Sequence, residues 1–343
     1  MSDIGADFSI SHFDVTVDWF KKAISGLLYQ AQLPNTVGGA AAPYVNFGNI
    51  QNVGVDGSIT YHGKVNKDFT WSATGTFTHY TNKVVSLPAG LQYYSVAASG
   101  SSRIGNFTQF QPGQPVGEFY GYKVVGYFKD QDDINKSPTQ DGASPGFFKY
   151  ADINHDGQIT DSDRTYIGNP NPKFTYGLNI TASYKGFDLS MFFYGVYGND
   201  VFNYVKYWVD FPQVFVGNVS KDIISNSWSP TNLNPKYPRL SQTSGFSNTN
   251  VINGWYIEKG SYLRMKNLTV GYTLPKNILK TVGIDNLRFY IQAANLFTAT
   301  HYKGLDPELS GSNIAGDQTN FGIDFGNYPA NQKTYALGLN LTF

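Results

Sequence analysis

Apolar and polar residues alternate one for one in nine stretches of the chain. Phe69, Trp71, Ala73, Gly75 and Phe77 take one parity, while Thr70, Ser72, Thr74, Thr76 and Thr78 take the other. Phe174, Tyr176, Leu178, Ile180, Ala182 and Tyr184 alternate in the same way with Thr175, Gly177, Asn179, Thr181 and Ser183. The full set covers 3–10, 13–19, 53–62, 69–78, 174–184, 187–198, 262–274, 286–297 and 334–343. Period-2 alternation predicts strands with one apolar face, and several are as long as a bilayer-crossing strand needs, roughly 9–11 residues. The last stretch, Tyr335, Leu337, Leu339, Leu341 and Phe343, carries the alternation to the final residue.

The connections between these strands are sorted by length. They are short at Ser11–His12, 64–68, Lys185–Gly186 and 275–285, and long at 31–50, 87–172, 199–255 and 298–333. Short and long alternate throughout, as in an outer-membrane barrel with tight periplasmic turns and long outer loops. The expected fold is therefore all-β, a transmembrane antiparallel barrel. Nine is an odd count, and bacterial single-chain barrels close with an even one, so the barrel is expected to be incomplete. The N-terminus MSDIGADFSISHF lacks the basic-then-apolar layout of a signal peptide. Together these features predict the C-terminal part of a longer chain, residues 1–343 being barrel wall and loops with no plug domain.

Composition narrows the partners. Lys+Arg and Asp+Glu number 25 each, giving zero formal charge, which argues against nucleic acid as a ligand. Charged residues make up only 15%, below the usual quarter or so, and the Ser, Thr, Gly and Asn of the polar parity suit the lumen of a large barrel. There is no cysteine, which removes disulfides and thiol chemistry. No apolar run reaches the roughly 18 residues of a membrane-spanning helix.

One segment has ligand spacing. ADINHDGQITDSDR places Asp152, Asn154, Asp156, Gly157, Gln158 and Asp163 at positions 1, 3, 5, 6, 7 and 12 of an EF-hand-type loop. Side chains at 1, 3, 5 and 12, with the backbone carbonyl at 7, offer the oxygens that Ca²⁺ prefers, and Gly157 permits the turn. Asp163 is shorter than the usual Glu, so closure is weaker. The expected role is a structural Ca²⁺ staple in an outer loop; an Asx-rich turn is the competing reading. No catalytic motif accompanies it. His12, His62, His79, His155 and His301 are scattered, and Asp210, Asp222, Asp306 and Glu308 read as solvated loop acids, so the chain is not expected to be an enzyme. The aromatic loops FNYVKYWVDFPQ and SWSPTNLNPKYPRL either stack on sugar or peptide or pack on one another.

NIQNVGVDGSITY (49–61), VGEFYGYKVVGYF (116–128), the run from KYADINHDGQITDSDR to SMFF (149–193), GSYLRMKNLTVGYTLP (260–275), NLRFYIQAANLFT (286–298) and the terminal strand resemble the C-terminal barrel of the SusC/RagA family of TonB-dependent transporters. The resemblance runs over nearly the whole chain. It implies a plugged barrel of about 22 strands in the outer membrane of a Gram-negative bacterium of Bacteroidetes type. It also implies a SusD-like surface lipoprotein as lid, energy from the TonB complex, and import of an oligosaccharide or peptide. The terminal residues Tyr335, Leu337, Leu339, Leu341 and Phe343 are then the outer-membrane sorting signal. The alternative is a soluble, calcium-stapled β-protein, its strands packed as a sandwich, that binds glycans at a cell surface.

Overall fold

The computed structural model describes residues 1–343 apart from 31–42, 47, 97–101, 216, 233, 280–282, 310–320 and 327–330, so parts of the expected loops 31–50, 87–172, 199–255 and 298–333 lie outside the described residues. The nine alternating stretches form nine strands: β1 (Ser2–Ile10), β2 (Phe13–Ile24), β3 (Asn49–Lys64), β4 (Phe69–Ser86), β5 (Phe174–Tyr184), β6 (Phe187–Tyr197), β7 (Tyr262–Thr273), β8 (Asn286–Ala294) and β9 (Thr334–Thr342). They pair in chain order into one antiparallel sheet, with Thr298–Thr300 adding a short extra pairing to β7. A sandwich would divide them between two facing sheets; here a single layer holds all nine.

The two faces follow the alternation. On the polar face, neighbouring strands are laced by side-chain hydrogen bonds: Thr60 to Thr74 at 2.9 Å, Ser72 to Thr181 at 2.7 Å, and Gln292 to Asn267 at 2.8 Å. Arg288 donates to Asp188 at 2.6 Å on the same face. The apolar face is uncovered: Leu337 is 83% exposed, Phe187 55% and Ile59 49%. Aromatics gather there in two rows. Near the short turns lie Phe13–Tyr61, Phe69–Tyr184 and Phe187–Tyr272, with ring centroids 4.9, 6.0 and 4.5 Å apart. Near the long connections lie Phe77–Phe174 and Phe174–Tyr197, at 5.4 and 4.9 Å. Phe69 and Phe77 are eight residues apart on β4, about 27 Å at about 3.4 Å per residue. Aromatic girdles flanking an apolar band about 25 Å tall are the mark of a membrane barrel wall.

The tight turns are set locally. Lys185 and Gly186 both have positive φ (46° and 88°), which suits a two-residue hairpin of the type that matches strand twist. Between β3 and β4, Asn66 accepts from the backbone N–H groups of Asp68 and Phe69, each at 2.9 Å.

The hydrophobic core sits outside the sheet. Phe107, Phe119, Phe148, Phe202, Tyr204 and Tyr256, none more than 1% exposed, form one cluster with Ile323 and others. These residues come from the three longest connections, β4–β5, β6–β7 and β8–β9, which fold together as a loop body. Small sheets order it: Asp200–Asn203 lies between Ile257–Lys259 and Ile323–Asp324, joining segments from two connections. Of the two readings for the aromatic loops, mutual packing describes Phe202, Tyr204 and Tyr207. Phe107 and Phe202 centroids are 4.5 Å apart, and Tyr204 stacks on Tyr207 at 5.1 Å.

Candidate functional site: the loop body, its seam and its cavity

A bulge in the wall creates the first notable site. Strict alternation over 262–274 would put Arg264 on the same apolar parity as Leu268 and Val270. Phe192 on β6 pairs with Asn267, however, and Phe193 with Met265, leaving Lys266 as an extra residue. One extra residue reverses every side chain beyond it, so Arg264 turns to the polar face opposite Tyr194. There it is 2% exposed. Its guanidinium donates to Asp306 at 2.6 Å, Glu308 at 2.5 Å and Thr298 at 2.8 Å. Lys266 donates to both oxygens of Glu308 at 2.6 Å, and the Asn331 backbone N–H donates to Asp306 at 2.7 Å. The β8–β9 connection is thus fastened to the wall. Burial raises the Asp306 pKa, but the N–H groups of Glu308 and Asn331 and the Arg264 guanidinium outweigh it, leaving the carboxyl below its usual range.

The expectation of solvated loop acids is corrected here. Asp306 is 6% exposed and Asp210 5%, because packing of the loop body encloses them; Asp222 does stay exposed. Burial lifts the Asp210 carboxyl to about 6, with Lys206 opposing the rise and Glu258 adding to it.

Asp210 borders a cavity of about 1170 Å³ between the helix Val205–Val209, the 254–259 segment, the 301–305 segment and the turn at 324–326. Lys206 projects into its lining with a side chain only 15% exposed. The ammonium lies 4.0 Å from the Trp255 ring centroid and 3.5 Å from Glu258, and it donates to the Trp255 backbone carbonyl. Burial pulls the Lys206 pKa down, against the pull of Glu258 and Asp210.

The aspartate-rich loop closes on itself. Asp152 accepts from the Gly157 backbone N–H at 2.9 Å, Asn154 from Asp156 at 3.0 Å, and Asp156 from Gln158 at 2.8 Å. Gly157 takes φ 80° as the turn requires. Asp163, fully buried, accepts from Ile153 at 2.8 Å and Thr160 at 2.7 Å, serving as the capping-box residue of a 3-10 turn, Asp161–Asp163. The second Asp152 oxygen is shut from solvent with no partner among the described residues. The donors in the loop are all oxygen, the chemistry Ca²⁺ takes. Among the described residues, no group of three or more His, Cys, Asp or Glu is gathered to hold a metal ion. The terminal residues Tyr335, Leu337, Leu339, Leu341 and Phe343 stand on the uncovered apolar face of β9 and just beyond it, all 40% exposed or more.

Comparison with known proteins fits this architecture. The TonB-dependent receptor P3 of Formosa agariphila is 34% identical over 346 residues, covering 99% of this chain and 34% of the relative. The chain is SusC/RagA-like. The TonB-dependent receptor SusC of Bacteroides thetaiotaomicron is 29% identical over 349 residues, covering 99% of this chain and 31% of SusC. The RagAB peptide transporter superposes with a TM-score of 0.75 at 25% identity, over 97% of this chain and 33% of that one. No family model matches the chain. The chain spans about a third of the length of the relatives it matches. These SusC/RagA-like relatives are receptors and a transporter, not enzymes, and the likeness puts the chain in the outer membrane.

The SusC/RagA-like sequence did not disclose the Arg264 seam or the Lys206 cavity in advance. A signal for the seam was present: LRMKN places two cations inside an apolar alternation, which a continuous strand in a membrane wall would not tolerate on its lipid side. The cavity had no such signal, because its lining comes from seven separate stretches of the chain.

Proposed function

We propose that residues 1–343 form nine wall strands and the outer loops of a TonB-dependent importer, the rest of the barrel and the plug coming from a longer polypeptide. In this reading the substrate is an oligosaccharide or peptide, and a SusD-like lipoprotein lids the mouth. The observation that carries it is the single nine-stranded sheet whose apolar face is uncovered while its long connections pack into a body of their own. A soluble β-protein would have to bury that face to avoid association. The sheet needs lipid against it instead, and the loop body then stands on the extracellular side, where lid and substrate meet it. The test is uptake of labelled oligosaccharide and peptide pools by cells expressing the full-length protein with its neighbouring lipoprotein, with and without TonB. Uptake that persists without TonB, or a chain that refolds monomeric without detergent, overturns the proposal.

Two finer assignments go with it. A Ca²⁺ ion would be held by Asp152, Asn154, Asp156 and the backbone at Gln158, with Asp163 completing the set; the unpartnered Asp152 oxygen supports this. Bound calcium would tie the loop ends with hard oxygen ligands. Terbium luminescence titration of the purified protein, compared with Asp152→Ala, tests it, and equal signals would refute it. The terminal residues Tyr335, Leu337, Leu339, Leu341 and Phe343 would serve as the sorting signal for barrel assembly. Phe343→Ser should lower the amount inserted in the outer membrane, read by cell fractionation.

A further inference from the structure

Charge is sorted between the two faces of the sheet. Within the nine strands, Asp3, Asp7, Asp14, Asp18, Asp56 and Asp188 all take the polar parity. On the apolar parity, Lys21 of β2 and Lys83 of β4 are the only Asp, Glu, Lys or Arg residues, Lys266 in the bulge aside. Both lie toward the long-connection ends of their strands. Lys21 is two residues beyond Trp19, and Lys83 six beyond Phe77 of the outer aromatic row. A lipid-side lysine is costly at the bilayer midplane and nearly free of cost at the interface. The two cations therefore stand at the height where a membrane wall admits them.

β3 runs between the two lysines. Lys21 pairs with Val53 and Lys83 with Gln51, so their Cα atoms are about 12 Å apart, two strand spacings across and two residues along. Two lysine stems can converge on one anion across that distance. Both side chains are exposed, and neither ammonium makes a salt bridge among the described residues. Behind Lys83 the inner face is closed: Val84 is buried under Phe110, with Val116 packed against them. Lys83 thus faces away from the loop body. Toward the short turns the same outer face continues through Trp19, Val55 and Ile59, all exposed. A ligand seated here meets cations at its outer end and an apolar wall beneath, the order of a lipid headgroup and its acyl chains.

We propose that Lys21 and Lys83 clamp the phosphate of an outer-leaflet lipid headgroup, whose acyl chains lie along the apolar face below. The assignment rests on the membrane-wall reading of the sheet and adds a lipid ligand to it. Basic side chains at headgroup level bind lipid phosphates through charge. A small soluble anion would gain nothing from the apolar strip under the clamp.

The test uses the full-length protein in dodecyl maltoside and two probes, lipid A and the same lipid A stripped of phosphate. Native mass spectrometry should show the phosphorylated lipid retained about 10-fold or more over the stripped form, the scale of hydrogen bonds to a charged group. The double variant Lys21→Gln/Lys83→Gln should lose that preference while its thermal transition stays in place. Lys22→Gln, one residue along β2 and on the polar face, should keep it. Equal retention of the two probes by the parent, no retention of either, a preference that survives the double substitution, or an equal loss in Lys22→Gln overturns the lipid site. TonB-dependent uptake measured alongside separates the two failures. Uptake that needs TonB without any phosphate preference removes the lipid site and leaves the importer, whereas uptake independent of TonB removes the importer and leaves the lipid site.

Discussion

Arg264 and Asp306 lie 42 residues apart in sequence and 2.6 Å apart in the structure, a guanidinium from the wall against a carboxylate from the β8–β9 connection. Both are nearly inaccessible to solvent. Burying either charge alone would be costly, and together with Glu308, Lys266 and Asn331 they balance charge and hydrogen bonding. The pair is thus the seam that fastens the Asp306–Glu308 stretch to the wall.

Removing Arg264 leaves Asp306 without its cation, while Glu308 keeps Lys266. Arg264→Ala should destabilise the seam by about 3–5 kcal/mol, as breaking one side of a buried ion pair does. Limited proteolysis should then cut near 304–309 in the variant and not in the parent, with the sheet still heat-resistant in detergent. Arg264→Lys keeps the charge but not the planar fork, and should fall between the two. A variant cut no faster than the parent would mean that other contacts fix the loop.

The exposed face of β9 should behave as a lipid-facing surface. Leu337→Arg places a charge in the apolar band and should cost about 2–4 kcal/mol near the midplane. Asn340, one strand-face over and paired with Arg288, should accept Ser for less than about 1 kcal/mol. Urea titration of the full-length barrel refolded in lipid vesicles compares them, and equal losses would contradict the assignment of faces.

The loop body should unfold separately from the wall. Phe202 is fully buried against Phe107, Phe119 and Tyr256, with centroids 4.5, 5.6 and 5.3 Å away. Phe202→Ala should cost about 3–5 kcal/mol and open the body to protease, while the β-rich circular dichroism of the barrel persists. Loss of the barrel signal in step with the loops would show that the two are one cooperative unit.

Asp210 gives the loop body a pH dependence. Its folded pKa is raised from 3.8 to about 6, chiefly by burial, so between those values the folded state binds more protons than the unfolded one. Stability should therefore be greatest below about pH 4, fall as pH rises through about 6, and level off above that. The groups facing it are Lys206, Glu258, Lys303 and Trp255. Protease resistance of the loop body followed from pH 5 to pH 8 reports the trend. Asp210→Asn should flatten the part of the profile centred near 6; an unchanged profile would assign the dependence to another group.

Much of the wall was legible in the residues themselves. All nine strands occupy the stretches where alternation predicted them, and the pairing follows chain order. The aspartate-rich loop also formed where its spacing predicted a turn, with Gly157 at the required positive φ. The capping role of Asp163 was not legible: spacing marked it only as a candidate twelfth ligand, and its oxygens also accept backbone N–H groups from Ile153 and Thr160. Asp306 and Asp210 were misread as solvated because a carboxylate in a polar loop carries no local mark of the packing that later covers it.

The sequence alone determined the sheet, because a strand's two faces depend only on residue parity and its turns on a few residues such as Lys185 and Gly186. Tertiary structure decided the rest. The bulge at Lys266, visible only against the register of β6, turned Arg264 from the lipid side to the polar face. The loop core and the Lys206 cavity are assembled from segments of different connections, so their geometry arises from long-range packing that no local pattern of hydrophobic and polar positions encodes.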